Sequence, residues 1–395
     1  MNDDRIQPGI YFRPGDTPQR AWGLVLLDVA AGTRPSELAT ALASATEMLT
    51  AFADGHVREL EGMSAAEFAS SEAALQGLDI LVAFGRRLFD QGQHDPPLTV
   101  LKRPPFLSYL PTSQPFPSLP WLDESELNRG ESDILLQLSA PEPATVNRAV
   151  IEIWKLITDD ALPLEMRAFF DGFGRPDGRG WLEFHDGVSN LRSSERLVAI
   201  EALGDPEWMK GGTYLAFLRL HVALASWRAL SRSDQEGLIG RDKISGRPFD
   251  APEPHAERRG TGRDDPTFRD PPETLDPELT QSHIHRANQN RVSPHASAGL
   301  RIFRQGFDFL DSVGPDGPVL GLNFVSYQSD LSTIQHLLRL PSWLGDVNFA
   351  GAPLVPEEPA GNRARQSPMI TVSAGGFYAV PPTDGPFPGA GLFGT

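Results

Sequence analysis

The order of apolar segments along the chain constrains the fold more than any other feature. Four segments of the first part are typical of buried strands, and two segments with apolar residues at helical spacing lie between them. The strand segments are residues 21–27, 78–84, 133–138 and 165–170, and the helical segments are residues 35–54 and 145–157. The predicted order is therefore β-α-β-β-α-β.

The same order returns, more weakly, in the second part of the chain. Its predicted strands are residues 213–220, 300–307, 319–327 and 376–380, and its predicted helices are residues 222–230 and 331–340. A β-α-β-β-α-β unit is the ferredoxin-like arrangement. We therefore predict an α+β protein of two ferredoxin-like halves with antiparallel sheets, residues 1–190 and residues 191–395. A stretch rich in proline and charge predicts a long loop at 250–280.

Charge and composition exclude several classes of protein. The 35 Lys and Arg against 52 Asp and Glu give a net charge of −17, which disfavours binding to nucleic acid or anionic lipid. No apolar run is long enough to span a membrane, and the polar start Met1–Arg5 leads into no apolar segment, so we expect a cytoplasmic protein. Cysteine is absent, which excludes disulfides and thiolate ligands.

Few residues suggest chemistry when they are considered alone. His283 and His285, with His295, could hold a metal ion, but such histidines are also common as ordinary hydrogen-bonding side chains. Asp186 before Gly187 is a turn signal, and Arg304 could be a solvated charge at the end of a strand. Each of these observations leaves both interpretations open.

The order of the short motifs is more informative than any one of them. The motifs are Ile6–Ile10, Glu183–Asn190, Gly211–Tyr214, Ile239–Lys243, Ser282–Asn288, Ile302–Arg304, Gly321–Tyr327 and Gly375–Pro382. Together they resemble the dye-decolorizing peroxidases, which are haem enzymes built from two ferredoxin-like halves of the dimeric α+β barrel type. The resemblance runs nearly from end to end of the chain.

The resemblance implies a role for five residues. His283 matches the axial ligand of the haem iron, and an imidazole on one side of the iron leaves the other side open for peroxide. Asp186 matches the distal aspartate, which can move a proton between the peroxide oxygens, and Arg304 matches the distal arginine, which stabilises developing negative charge. Arg241 matches the basic residue near a haem propionate. Asp330 is a further candidate, as the carboxylate that accepts the second N–H of the proximal imidazole.

The implied function is a peroxidase with haem b as cofactor. It would reduce hydrogen peroxide and oxidise a small aromatic, dye-like or phenolic reductant through a ferryl intermediate, and a homo-oligomer is compatible with this function. Large reductants cannot reach a buried haem, so a surface residue would relay the electron; Trp181, Tyr327 and Tyr378 are candidates, although packing is an alternative role for each.

Departures from the family pattern, which include an altered segment at 288–291, keep other functions open. Glu183 stands where the motif has Gly, and His285 stands where the family usually has Arg. If Glu183 faces Asp186, like-charge repulsion would shift the acid optimum, and if it faces away it would have no effect. One alternative function is a haem-binding carrier, sensor or haem-modifying protein with little peroxidase turnover. Another is a non-haem metal site formed by His283, His285 and His295.

Overall fold

The computed structural model describes residues 5–54, 56, 64, 66–67, 77–90, 129–187, 190–191, 193–202, 206–249, 282–287, 302–315, 317–338 and 369–394. The predicted loop at 250–280 lies outside these residues, as does His295. In the described part of the chain, no helix combines the length and the apolar character needed to cross a membrane.

The described strands form one closed barrel in which neighbours run antiparallel. They are β1 (Ala21–Val29), β2 (Asp79–Gly85), β3 (Ile134–Ala140), β4 (Leu164–Phe173), β5 (Thr213–Val222), β6 (Phe303–Gly314), β7 (Gly317–Gln328) and β8 (Ile370–Val380). Around the ring the order is β1-β3-β2-β8-β5-β7-β6-β4.

Each half contributes four adjacent strands to the ring. The first half has the order β4-β1-β3-β2, and the second half has the equivalent order β8-β5-β7-β6. Two short seams join the halves: Phe84 and Gly85 of β2 pair with β8, and Phe173 of β4 pairs with Asp308 of β6. The predicted α+β class with antiparallel, ferredoxin-like sheets is confirmed. The boundary at residue 190 stays a prediction.

The described helices are α1 (Pro35–Ala53), α2 (Pro143–Asp159), α3 (Ser193–Ile200), α4 (Leu224–Ala229), α5 (Arg232–Ile239), α6 (His283–Ala287) and α7 (Leu331–Leu338). Both α1 and α2 begin with proline, whose fixed φ suits the first helical position. Short 3₁₀ turns occupy Arg86–Phe89, Glu207–Met209 and Ala390–Leu392.

Alternation along the strands separates two apolar cores. Trp22, Phe217, Phe307 and Tyr327 belong to the cluster inside the barrel, where the indole of Trp22 stacks on Phe307 with ring centroids 5.1 Å apart. The larger cluster lies between the outer sheet face and the helices. Side chains of successive strand residues point to opposite faces, so each strand serves both cores.

Several elements of the second half differ from the prediction: β6 and β8 are longer than predicted, and α3 was not predicted. The predicted helix at 222–230 is only Leu224–Ala229, because β5 continues to Val222, which pairs with Ile370. Helix α5 was not predicted, although Ser231 accepts a hydrogen bond from the Asp234 backbone N–H in a capping box. That Ser-x-x-Asp spacing is visible in the sequence and could have revealed this helix.

Candidate active site

The outer face of β6 and β7 carries the candidate site. Every second residue of β6 lies on this face, namely Arg304, Gly306 and Asp308, whereas Phe303 and Phe307 point into the barrel. We define the β6–β7 outer face by Ile302, Arg304, Gly306, Asp308, Leu322 and Phe324. All of these residues except Asp308 are only partly buried, while the opposite side of both strands is buried around them. The face is therefore incompletely covered at the centre of an otherwise packed layer.

The loop after β4 places Asp186 directly over Gly306. A Cβ atom added at Gly306 would lie 2.9 Å from Asp186 Oδ2, so any side chain at this position would displace the carboxylate. Two hydrogen bonds hold Asp186 in place. Its backbone N–H donates to Gly178 O at 2.8 Å, and its side-chain Oδ1 accepts from the Gly187 N–H at 2.7 Å. Gly187 has φ +72°, which a residue with a side chain rarely adopts.

Asn190 connects the same loop to the backbone of Arg304. Its Nδ2 donates to Arg304 O at 2.7 Å, and its Oδ1 accepts from the Arg304 N–H at 3.3 Å. Because one side chain satisfies both backbone groups of Arg304, the loop and the strand are fixed relative to each other. The structure therefore brings Asp186 and Arg304, two predicted site residues, to one face of β6.

A second carboxylate, Asp308, lies one alternation beyond Gly306. It is 5% exposed and accepts a hydrogen bond from the Trp181 backbone N–H. Burial, followed by the negative charge of Asp186, raises the pKa of Asp308 to about 7, with Arg175 opposing the shift. Asp308 was not predicted as a site residue, although the alternation of Phe303, Phe307 and Phe309 with polar residues places it on the same face as Arg304.

Arg179 joins the Asp186 loop to the turn that follows α5. Nη1 donates to Glu183 O and to Lys243 O, each at 2.6 Å, and Nη2 donates to Ile244 O at 2.9 Å. Nη2 also lies 2.8 Å from His185 Nε2. Because a guanidinium can only donate, His185 Nε2 accepts, and the neutral imidazole carries its proton on Nδ1.

Glu183 has a left-handed backbone conformation, with φ +68°. This conformation favours glycine, which gives a physical reason why glycine suits this position. The Glu183 side chain is 54% exposed and its Oε1 lies 3.7 Å from Arg175 Nη1. This exposed placement agrees with the alternative in which the carboxylate points to solvent.

His283 begins the short helix α6, which packs on the end of α5. Gly240 ends α5 with φ +85°, and a Cβ atom there would lie 2.5 Å from Ser282 Oγ and 2.8 Å from Ile284 Cγ1. The glycine thus sets the distance between the two helices and the position of His283. The side chain of His285 lies outside the described residues.

Arg241 follows Gly240 and is 6% exposed, with Nη1 donating to Gly246 O at 2.9 Å. A guanidinium held this deep suits an anionic group such as a carboxylate. Asp330 precedes α7, where its Oδ1 accepts from the Ser332 N–H at 2.6 Å. Its proposed role behind the His283 imidazole stays a prediction.

The described residues fit a flat apolar group with acidic substituents. One hydrophobic cluster connects the incompletely covered sheet face to α6, the helix that carries His283. Packed against this cluster are Ile302, Leu322 and Phe324 of the sheet face and Ala287 of α6. An imidazole is a usual axial ligand of haem iron, and buried Arg241 suits a propionate. Among the described residues, no group of three His, Asp or Glu is arranged to hold a metal ion.

The three relay candidates differ in their exposure. Tyr327 and Tyr378 are fully buried, and burial raises the pKa of each phenol well above its usual value. Trp181 is partly exposed, and its Nε1 donates to Phe309 O at 3.0 Å. Which residue relays electrons stays a prediction.

Comparisons with known proteins agree on one family. The family model "Dyp-type peroxidase, C-terminal" matches residues 177–384. A deferrochelatase from Yersinia pestis bv. Antiqua (strain Nepal516) is 27% identical over 288 residues, covering 66% of this chain and 59% of the relative. The match thus spans less than two thirds of that relative's length.

Two solved structures share the fold. A DyP-type peroxidase from Cellulomonas bogoriensis superposes with a TM-score of 0.72 at 22% identity, covering 99% of this chain and 97% of the other. A variant of DypB from Rhodococcus jostii, solved in complex with heme, superposes with a TM-score of 0.59 at 20% identity, covering 95% and 97%.

Proposed function

Since the family model matches more than half of the chain, the chain belongs to the Dyp-type peroxidase family, and we propose that it is a haem-dependent peroxidase. It would reduce hydrogen peroxide and oxidise a small aromatic, dye-like or phenolic compound. The observation that carries the proposal is the placement of Asp186 over Gly306, on the face that also carries Arg304. A base beside a fixed positive charge is the pair of groups that cleavage of an O–O bond requires.

Each residue has a distinct role in this proposal. His283 would bind the iron of haem b, and Arg241 would pair with a propionate. The bound haem supplies the redox chemistry. Asp186 would accept the proton from one oxygen of hydrogen peroxide and return it to the other, while Arg304 stabilises the negative charge that develops on these oxygens. Asn190 keeps these two residues together through the backbone of Arg304.

Haem binding is tested first. The purified full chain loaded with haem should show a Soret band, and His283→Ala should lose it. His56→Ala, at an exposed histidine, is the matched control and should keep the band. If His283→Ala keeps the native spectrum, another residue binds the iron.

The role of Arg304 is tested by rapid mixing with peroxide. Arg304→Leu should still bind haem but react with peroxide about 10²–10³-fold more slowly, since this is the usual cost of losing one group that stabilises transition-state charge. Arg34→Leu, at an exposed arginine of the first half, should react at the wild-type rate. An unchanged rate in Arg304→Leu would remove this residue from the proposed reaction.

A haem-modifying protein with little peroxidase turnover is the second candidate. The specific observation in its favour is the similarity to a protein named deferrochelatase. Stable haem binding with negligible peroxide consumption between pH 4 and pH 8 would favour this candidate over the peroxidase.

A further inference from the structure

The β6–β7 outer face holds a carboxyl group that the proposed reaction leaves without a role. Asp308 and Asp186 flank Gly306, one from the strand itself and one from the loop above it. Successive residues on one face of a strand are about 7 Å apart, so the two carboxyl groups lie close enough to repel each other when both are ionised.

The surroundings of Asp308 favour its neutral form. Among the residues that the structure describes, the charged groups that act on it are Asp186, Asp177 and Arg175, all from the loop after β4. Arg175 already donates two hydrogen bonds to Asp177, at 3.1 and 2.7 Å, so its charge is largely shared. Across the sheet the neighbours of Asp308 are Phe173 of β4 and Leu322 of β7, which carry no charge.

We propose that Asp308 is a positioning residue for Asp186: it holds a proton in acidic solution, so that Asp186 alone carries negative charge beside the peroxide. This inference rests on the proposed function of Asp186. When Asp308 releases its proton to water at higher pH, a second negative charge forms on the same face. The reaction is then slowed, because the face opposes further negative charge on the peroxide oxygens.

The variant Asp308→Asn mimics the protonated side chain and so separates this role from a merely structural one. Because the pKa of Asp308 is raised toward neutrality, the rates of the variant and of wild type should diverge as the pH rises through that range. At pH 5 the variant should react with peroxide within about twofold of wild type. At pH 8 it should be about tenfold faster, because like charges at this separation alter an equilibrium by at least that factor at a protein surface. Asp160→Asn, at an exposed carboxylate in the first half, should keep the wild-type pH profile.

A second measurement requires no peroxide turnover. Infrared difference spectra of the full chain, recorded with and without haem between pH 5 and pH 9, report protonated carboxyl groups directly. Wild type should lose one carboxyl band with a midpoint near 7, and Asp308→Asn should lack this band. In Asp186→Asn, which retains Asp308, the midpoint should fall, because the nearest negative charge is gone. This variant also serves if Asp308→Asn does not fold.

The two measurements distinguish failure of this inference from failure of the proposed function. If no carboxyl band titrates between pH 6 and pH 8, or if the band persists in Asp308→Asn, the inference is wrong whatever the protein catalyses. If the band behaves as expected but Asp308→Asn has the wild-type pH profile, Asp308 does not act on Asp186. If the haem-loaded wild type does not consume peroxide while the band titrates near 7, the proposed peroxidase fails and the proton-holding property stands.

Discussion

Substitution of Gly306 by alanine tests the geometry on which the candidate site depends. The added methyl group would lie 2.9 Å from Asp186 Oδ2 and 3.2 Å from Leu322 Cδ1, whereas ordinary contacts begin at 3.4 Å. The carboxylate must therefore move by about 0.5 Å, and the leucine by less. Neither movement requires the barrel to open, so we expect the protein to fold.

The magnitudes follow from these distances. Overpacking by one methyl group costs about 1–3 kcal/mol, and the smaller entropy of unfolded alanine offsets about 0.5–1 kcal/mol, so the net loss of stability is about 1 kcal/mol. A misplacement of 1 Å can cost about 10²-fold in rate, so a shift of half that size predicts a reaction with peroxide about tenfold slower.

The assay compares two Gly→Ala variants. Gly306→Ala and Gly237→Ala are measured by urea unfolding and by rapid mixing of the haem-loaded protein with peroxide. A Cβ atom at Gly237, within α5, meets no atom within 4 Å, so this variant should keep the wild-type rate and gain up to about 1 kcal/mol in stability. If Gly306→Ala reacts as fast as wild type, the position of Asp186 over Gly306 does not control the reaction.

Three further predictions concern stability and ligand binding. Glu183→Gly should raise the free energy of unfolding by about 0.5–1 kcal/mol in urea titrations. Relief of φ +68° gains about 1–2 kcal/mol, the greater freedom of glycine in the unfolded chain offsets about 0.5–1 kcal/mol, and the lost contact with Arg175 is exposed; a loss of stability would contradict this. Gly240→Ala should weaken haem binding at least tenfold in absorbance titrations, because its methyl group would displace the segment that carries His283; unchanged affinity would show that this segment does not set the ligand. Asp308→Asn should gain stability relative to wild type as pH rises from about 4 to about 7. Across that window the folded protein retains a proton that the unfolded chain has lost, so wild type loses stability with rising pH; parallel pH curves for the two proteins would refute this.

Periodicity predicted the strands well where they are apolar on both faces. β1 and β3 were placed within about two residues, because barrel and helices bury both of their sides. β6 was predicted to end at Phe307 but continues to Gly314, where Leu310 and Val313 are exposed. Beyond Phe309 the extension depends on pairing with β7 across the hairpin, which no local pattern of β6 reveals.

The site could be predicted only in part from the sequence, because several of its contacts join segments that are distant along the chain. Motif order pointed to Asp186 and Arg304, which the fold brings to one face. The partners that hold them, Asn190 and Arg179, act through backbone groups and distances that depend on the folded loop. Asp308 required knowledge of which face of β6 meets the loop. Its raised pKa depends on burial, which a sequence does not show.

The short seam between β4 and β6 has a consequence for the motions of this barrel. Phe173 and Asp308 are the residues paired between these two strands, so this joint has far fewer hydrogen bonds to break than the long β5–β7 ladder. Local opening at the joint admits water to the carboxyl group at 308, and a hydrated carboxyl ionises more readily than a buried one. Local opening of the barrel and loss of that proton are therefore thermodynamically linked. Alkaline solution should accordingly speed amide hydrogen exchange at this joint by more than the general effect of base.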